Sequence, residues 1–145
     1  MRHRGLLIVV LVGIGVLLAG NRLIDAAPPA EVEADRLAVV WTSGDPDVAH
    51  RMVLMYTNAS KRNGWFDEVR LVIWGPSQRL LVGDKDIQAY VARLQESGVV
   101  VQACQACSDS YGITDAIRAL DIEVKYMGVP LTDFLKDSQW HVMTF

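Results

Sequence analysis

The sequence predicts an α/β domain: three layers, α/β/α, around a mostly parallel five-stranded sheet, preceded by an N-terminal hydrophobic helix. Three observations predict it. Short β-branched runs recur along the chain and alternate with stretches of helical spacing, the pattern of βα units with a parallel sheet. Most runs close on turn or helix-capping residues. An uncharged apolar stretch, Gly5 to Gly20, stands ahead of all of them.

That stretch follows the basic segment Met1-Arg2-His3-Arg4. Its sixteen residues fall between a signal-peptide core and a full span, so residues 1–24 read as a signal anchor or a signal peptide. Ile24-Asp25-Ala26 is a poor cleavage site, which favours the anchor. Asn21 follows Leu17-Leu18-Ala19-Gly20, where a lipid anchor would need cysteine. With positive charge ahead of the span, the expected location is the cell inner membrane, held through residues 5–20, with the domain facing the periplasm. Cleavage would release it into the periplasm. Residues 25–36, small, acidic and bearing Pro28-Pro29, read as a linker, and residues 37–145 as the domain.

The elements follow in order. Leu37 to Ser43 is a continuous apolar run ending in turn residues, as expected of a central parallel strand covered on both faces. Asp45 caps the next helix and Pro46 opens it, with Val48, Met52, Met55 and Ala59 inward and Tyr56 beside them, until Asn63-Gly64. Val69 to Trp74 is the second strand, closed by Gly75-Pro76-Ser77. A short helical turn spans about Gln78 to Val82, and a longer helix runs from about Asp86 to Glu96 with Ile87, Tyr90, Val91 and Leu94 inward. Val99 to Ala103 is the third strand, and a helix around Thr114 to Leu120 returns from it. Ile122 to Met127, a short helix from Val129 to Leu135 and a last strand from Trp140 to Phe145 complete the pattern.

Chemistry concentrates at one point. Cys104 and Cys107, the two cysteines of the chain, are spaced C-x-x-C where the third strand turns toward a helix. Two thiols there can approach within disulfide range, and a helix terminus favours the thiolate. A stabilising staple would instead join distant segments, since so short a loop gains only about 2 kcal/mol of chain entropy. One C-x-x-C supplies half of a closed zinc site, and His50 in a helix and His141 in a strand have nothing to bring them near. No metal and no cofactor are therefore expected. The motif does not follow an early strand with an aromatic residue before it, so a thioredoxin-type enzyme is not indicated.

Ser108 and Asp109 read as helix caps, and Ser110 or Tyr111 as candidates to bond a sulfur. Trp41, Trp74, Tyr126 and Met127 stand at strand ends, either lining a pocket over the thiols or packing in the core. Asn58-Ala59-Ser60 matches a glycosylation acceptor but lies within a predicted helix. A formal charge of −3 without a basic block excludes nucleic acid as an expected partner.

Val39 to Asp45, Val72 to Ser77, Ala103 to Gly112 and Tyr126-Met127-Gly128 together resemble the DsrE/DsrF-like family, small α/β domains related to sulfur-relay subunits of the DsrEFH and TusBCD type. The resemblance covers Leu37 to Phe145. It implies a sulfur-carrying cysteine eight residues before a glycine, which is Cys104 before Gly112. Cys107 matches the second cysteine of a C-x-x-C subset. The implied function is sulfane-sulfur handling by persulfide formation on Cys104, as a sulfurtransferase or sulfur carrier. The implied partners are a sulfur donor or acceptor protein thiol and further copies of the chain, as a trimer or hexamer. A thiol/disulfide redox module and a non-catalytic binding or assembly domain are the alternatives.

Overall fold

The computed structural model describes residues 35–145, so the expected anchor and nearly all of the linker lie outside the described residues. Five strands form one sheet in the order β4-β3-β2-β1-β5. They are β1 (Arg36–Trp41), β2 (Glu68–Ile73), β3 (Val100–Cys104), β4 (Glu123–Lys125) and β5 (Trp140–Thr144). Every pairing is parallel, with Trp41 opposite Ile73 and Ile73 opposite Ala103. β1 is an interior strand, between β2 and β5, and its near-continuous burial is what an apolar run covered on both faces requires.

Alternate residues point to opposite faces of a strand, and the core divides accordingly. Leu37, Val39, Trp41, Leu71, Ile73 and Val101 face one way, against the helices that follow β1, β2 and β3. Ala38, Val40, Val72 and Cys104 face the other way, with Met127 and Phe134. Phe134 belongs to α7 (Gly128–Lys136), the crossover from β4 back to β5. Because the chain steps steadily from β1 to β4 and then returns past β1, the right-handed crossover rule puts this helix on the opposite face. The result is a thick helical layer, a sheet, and a thin second layer. Among the described residues no helix is long and apolar enough to cross a membrane.

The first helix departs from the sequence expectation. Asp45 does cap it, accepting from the Asp47 and Val48 amides, and Pro46 opens α1 (Pro46–Val48). A π-helical segment, Ala49–Leu54, follows before α2 (Met55–Arg62). Two apolar stripes compete here, and the buried one is Ala49, Val53 and Leu54. Met52 and Met55, expected inward, are about half exposed at 49% and 54%. The π-type i→i+5 bonding underwinds the helix and lets consecutive Val53 and Leu54 both reach the sheet. The displaced methionines line a small apolar groove with Tyr56, Met143 and Phe145 beside edge strand β5.

Candidate functional site

β3 delivers Cys104 to the carboxyl edge of the sheet, and the chain turns there into α5 (Gln105–Tyr111). Cys104 is the last strand residue and the N-cap position of the helix, with extended backbone angles. Cys107 lies within the first turn. α5 therefore begins immediately after Cys104, ahead of the helix expected from Thr114, and Gly112 ends it in the left-handed conformation. A second short helix, α6 (Thr114–Arg118), then leads toward β4.

Both cysteines are free thiols, Cys104 buried at 3% exposure and Cys107 partly exposed. The two thiols are neighbours, and the Gly75 backbone lies beside Cys107. Burial, followed by the Cys104 contact, pushes the Cys107 thiol up from its ordinary value, and the Gly75 backbone only partly opposes this. For Cys107, the expectation that the helix end favours the thiolate is thus reversed. At neutral pH it keeps its proton, which it can direct at the Cys104 sulfur.

The β2–α3 turn completes the surroundings, α3 being Ser77–Gly83, with α4 (Lys85–Glu96) after it. Gly75 has φ of +68°, which a side-chain-bearing residue rarely adopts, and this bend brings its amide toward Cys107. Ser77 donates its hydroxyl to the Trp41 carbonyl at 2.7 Å and accepts from the Trp74 amide at 3.2 Å, joining the ends of β1 and β2. Gln78, fully buried, donates from Nε2 to the carbonyls of both Ile73 and Cys104 at 2.9 Å. It ties β2 to β3 directly behind the cysteine. Four residues beyond Gly75, the Arg79 guanidinium lies over the Tyr111 ring, 4.9 Å from its centroid.

The other sequence candidates separate. Trp74 and Met127 pack in the cluster that holds Cys104, whereas Trp41 is buried on the opposite face and Tyr126 is 66% exposed. Ser108 and Asp109 do not cap α5. They lie within it, Ser108 bonding the Gln105 carbonyl and Asp109 accepting from Thr114. The Ser110 hydroxyl bonds the Cys107 carbonyl rather than a sulfur. His50 stands near Tyr90 and His141 packs edge-on against Phe66. No group of three or more potential metal ligands occurs among the described residues. Gly75, Gln78 and Arg79 were not singled out by sequence reasoning. Only the turn chemistry of Gly75-Pro76-Ser77 marked their neighbourhood.

Comparison with known proteins agrees with this architecture. A conserved protein of unknown function from Bacteroides thetaiotaomicron is 33% identical and superimposes with a TM-score of 0.73, over 77% of this chain and 95% of its own. Two more distant structures share the fold at 18% identity and a TM-score of 0.56. One is a protein of unknown function from Methanobacterium thermoautotrophicum, covering 76% of this chain and 98% of its own. The other is the ychN protein from E. coli, covering 77% and 98%. No curated protein sequence matches significantly. The model of the DsrE/DsrF-like family matches residues 35–145, and the chain belongs to that family.

Proposed function

We propose that the domain handles sulfane sulfur by forming a persulfide on Cys104. The observation that carries this is the pair of free thiols at the carboxyl end of β3, buried Cys104 beside partly exposed Cys107. Cys104, after losing its proton to water, attacks the outer sulfur of a donor. The donor's S–S bond breaks, its electron pair leaves with the remaining group, and Cys104–S–S⁻ is formed. An acceptor thiolate then takes the outer sulfur and regenerates the Cys104 thiolate. Membership of the DsrE/DsrF-like family supports the reading.

Cys107 has two parts in this scheme. As a thiol it donates a hydrogen bond to the sulfur charge on Cys104. Once deprotonated it attacks Cys104 Sγ and expels the outer sulfur, which takes a proton from water and leaves as HS⁻, so that a disulfide remains. Burial of Cys104 shields the persulfide from water, and the more exposed Cys107 marks the side from which a donor approaches. A thiol/disulfide redox module is the second reading, supported by the same sulfur–sulfur contact.

The wider setting is an export anchor over residues 1–24, a linker over 25–36 and a periplasmic domain of the C-x-x-C subset. A trimer or hexamer is supported by exposed apolar Tyr126, Val129 and Leu135. The experiment for the chemistry loads the reduced 145-residue chain with polysulfide and reads its sulfane sulfur as thiocyanate after cyanide treatment. Cys104→Ser is expected to carry none and Cys107→Ser to carry as much as wild type. Full loading of Cys104→Ser would transfer the role to Cys107. Loading of neither wild type nor variants would favour the redox reading.

A further inference from the structure

Two contacts join the segment at the start of α3 to α5, and they are spaced alike on both sides. The Gly75 backbone lies beside Cys107, and four residues on in each segment Arg79 lies over Tyr111. Cys104, Cys107 and Tyr111 stand at i, i+3 and i+7, so they form one stripe along the start and length of α5. Arg79 is exposed, and it makes no ion pair with a carboxylate among the described residues. The nearest acidic residue on α5, Asp109, has its carboxylate engaged by Thr114 at 2.6 Å. A cation over an aromatic ring, without a carboxylate partner, at the end of a stripe of thiols is an arrangement for an anion.

Resting on the persulfide reading, we propose that Arg79 is the specificity-determining residue of the site, selecting a sulfane-sulfur donor whose leaving group is a compact oxyanion, the thiosulfate class. The reach agrees. Seven residues of helical rise, about 10 Å, separate the Cys104 and Tyr111 ends of the stripe. An attack distance of about 3.5 Å, an S–S bond of about 2 Å and a charge-assisted hydrogen bond of about 2.8 Å, with one S–O bond between, span roughly the same length. The sulfane sulfur then meets Cys104, and the sulfonate oxygens face the Arg79 guanidinium. The Cys104 thiolate attacks, the S–S bond of S₂O₃²⁻ breaks, and SO₃²⁻ leaves with the bonding pair. Cys104–S–S⁻ remains. Charge and sulfur balance without an added oxidant, and Arg79 faces the group on which negative charge accumulates.

The test compares two donors on the reduced 145-residue chain under anaerobic conditions. One is thiosulfate. The other is a neutral dialkyl trisulfide, whose central sulfur Cys104 attacks, leaving Cys104–S–S–S–R and releasing RS⁻. Arg79→Gln is expected to raise the half-saturating thiosulfate concentration about tenfold or more and to leave the trisulfide rate unchanged, with Arg79→Lys between. In a Cys104→Ser background, calorimetry is expected to show sulfite binding that Arg79→Gln weakens to the same degree. Equal thiosulfate kinetics in Arg79→Gln and wild type would overturn the assignment, as would wild type that reacts with trisulfide but not with thiosulfate. Either result leaves the persulfide reading standing. Wild type that takes sulfur from neither donor would sink that reading and the assignment to Arg79 with it.

Discussion

At the scale of single residues, the account turns on which thiol keeps its proton. Cys107 is held above the ordinary thiol value of 9.0 by burial and by its contact with Cys104. It is therefore a weak nucleophile at neutral pH, and a persulfide on Cys104 survives beside it. Raising the pH deprotonates Cys107 and releases HS⁻. The persulfide lifetime, followed by cyanolysis, is expected to be longest near neutrality and to shorten as the pH climbs through and beyond 9. In Cys107→Ser this alkaline shortening should vanish. Gln78 is the second residue with a sharp expectation, because its amide holds the Cys104 carbonyl. Gln78→Leu orphans two carbonyls and is expected to cost about 1–3 kcal/mol in denaturant unfolding. Neither residue's part could be read from the chain alone. The cysteine spacing was visible, but the balance of burial against helix-end charge depends on the β2–α3 turn that packs over it.

Among elements, the π-helical segment accounts for the clearest miss. Sequence periodicity offers Val48, Met52, Met55 and Ala59 as one stripe and Ala49, Val53 and Leu54 as another, both apolar and both helical in spacing. Underwinding and the demand of the sheet for branched side chains select the second. Leu54→Ala is accordingly expected to cost about 2–5 kcal/mol and Met55→Ala well under 1 kcal/mol, measured by urea unfolding. The strands were easier to read. β1, β2 and β3 are short apolar runs with turn chemistry at their ends, and each is found within a residue or two of its expected bounds. At the sheet edge, the Glu123 carboxyl is held below its ordinary value of 4.5, first by the hydrogen bond from Gln102 and then by Lys125 and Arg70. Its contribution is complete above the ordinary value and is lost as pH falls through the lowered one. Glu123→Gln should therefore flatten the acid limb of the stability curve.

On the scale of the whole molecule, topology puts the site where it is. The carboxyl ends of β1 and β5, where the strand order reverses and open α/β sheets usually bind ligands, are fastened by bonds from Thr42 and Ser43 to Phe145. The thiols instead stand two strands away from β1, at the end of β3. Alternation of strands and helices made the parallel sheet legible. It could not supply the strand order, and so could not reveal that α7 packs on the second face. The family pattern was legible for the same reason as the strands: its motifs sit on strand ends and turns, which local sequence marks strongly. Light scattering of the purified chain is expected to return a trimer or hexamer, with Leu135→Glu shifting it toward smaller species.

The central claim is that Cys104 carries sulfur. Its most direct test is the intact mass of the reduced 145-residue chain, held anaerobically, before and after exposure to polysulfide. The account predicts a gain of one sulfur, about 32 Da, reversed by reductant and absent in Cys104→Ser. A loss of about 2 Da, from conversion of Cys104 and Cys107 to a disulfide with no sulfur retained, would contradict it.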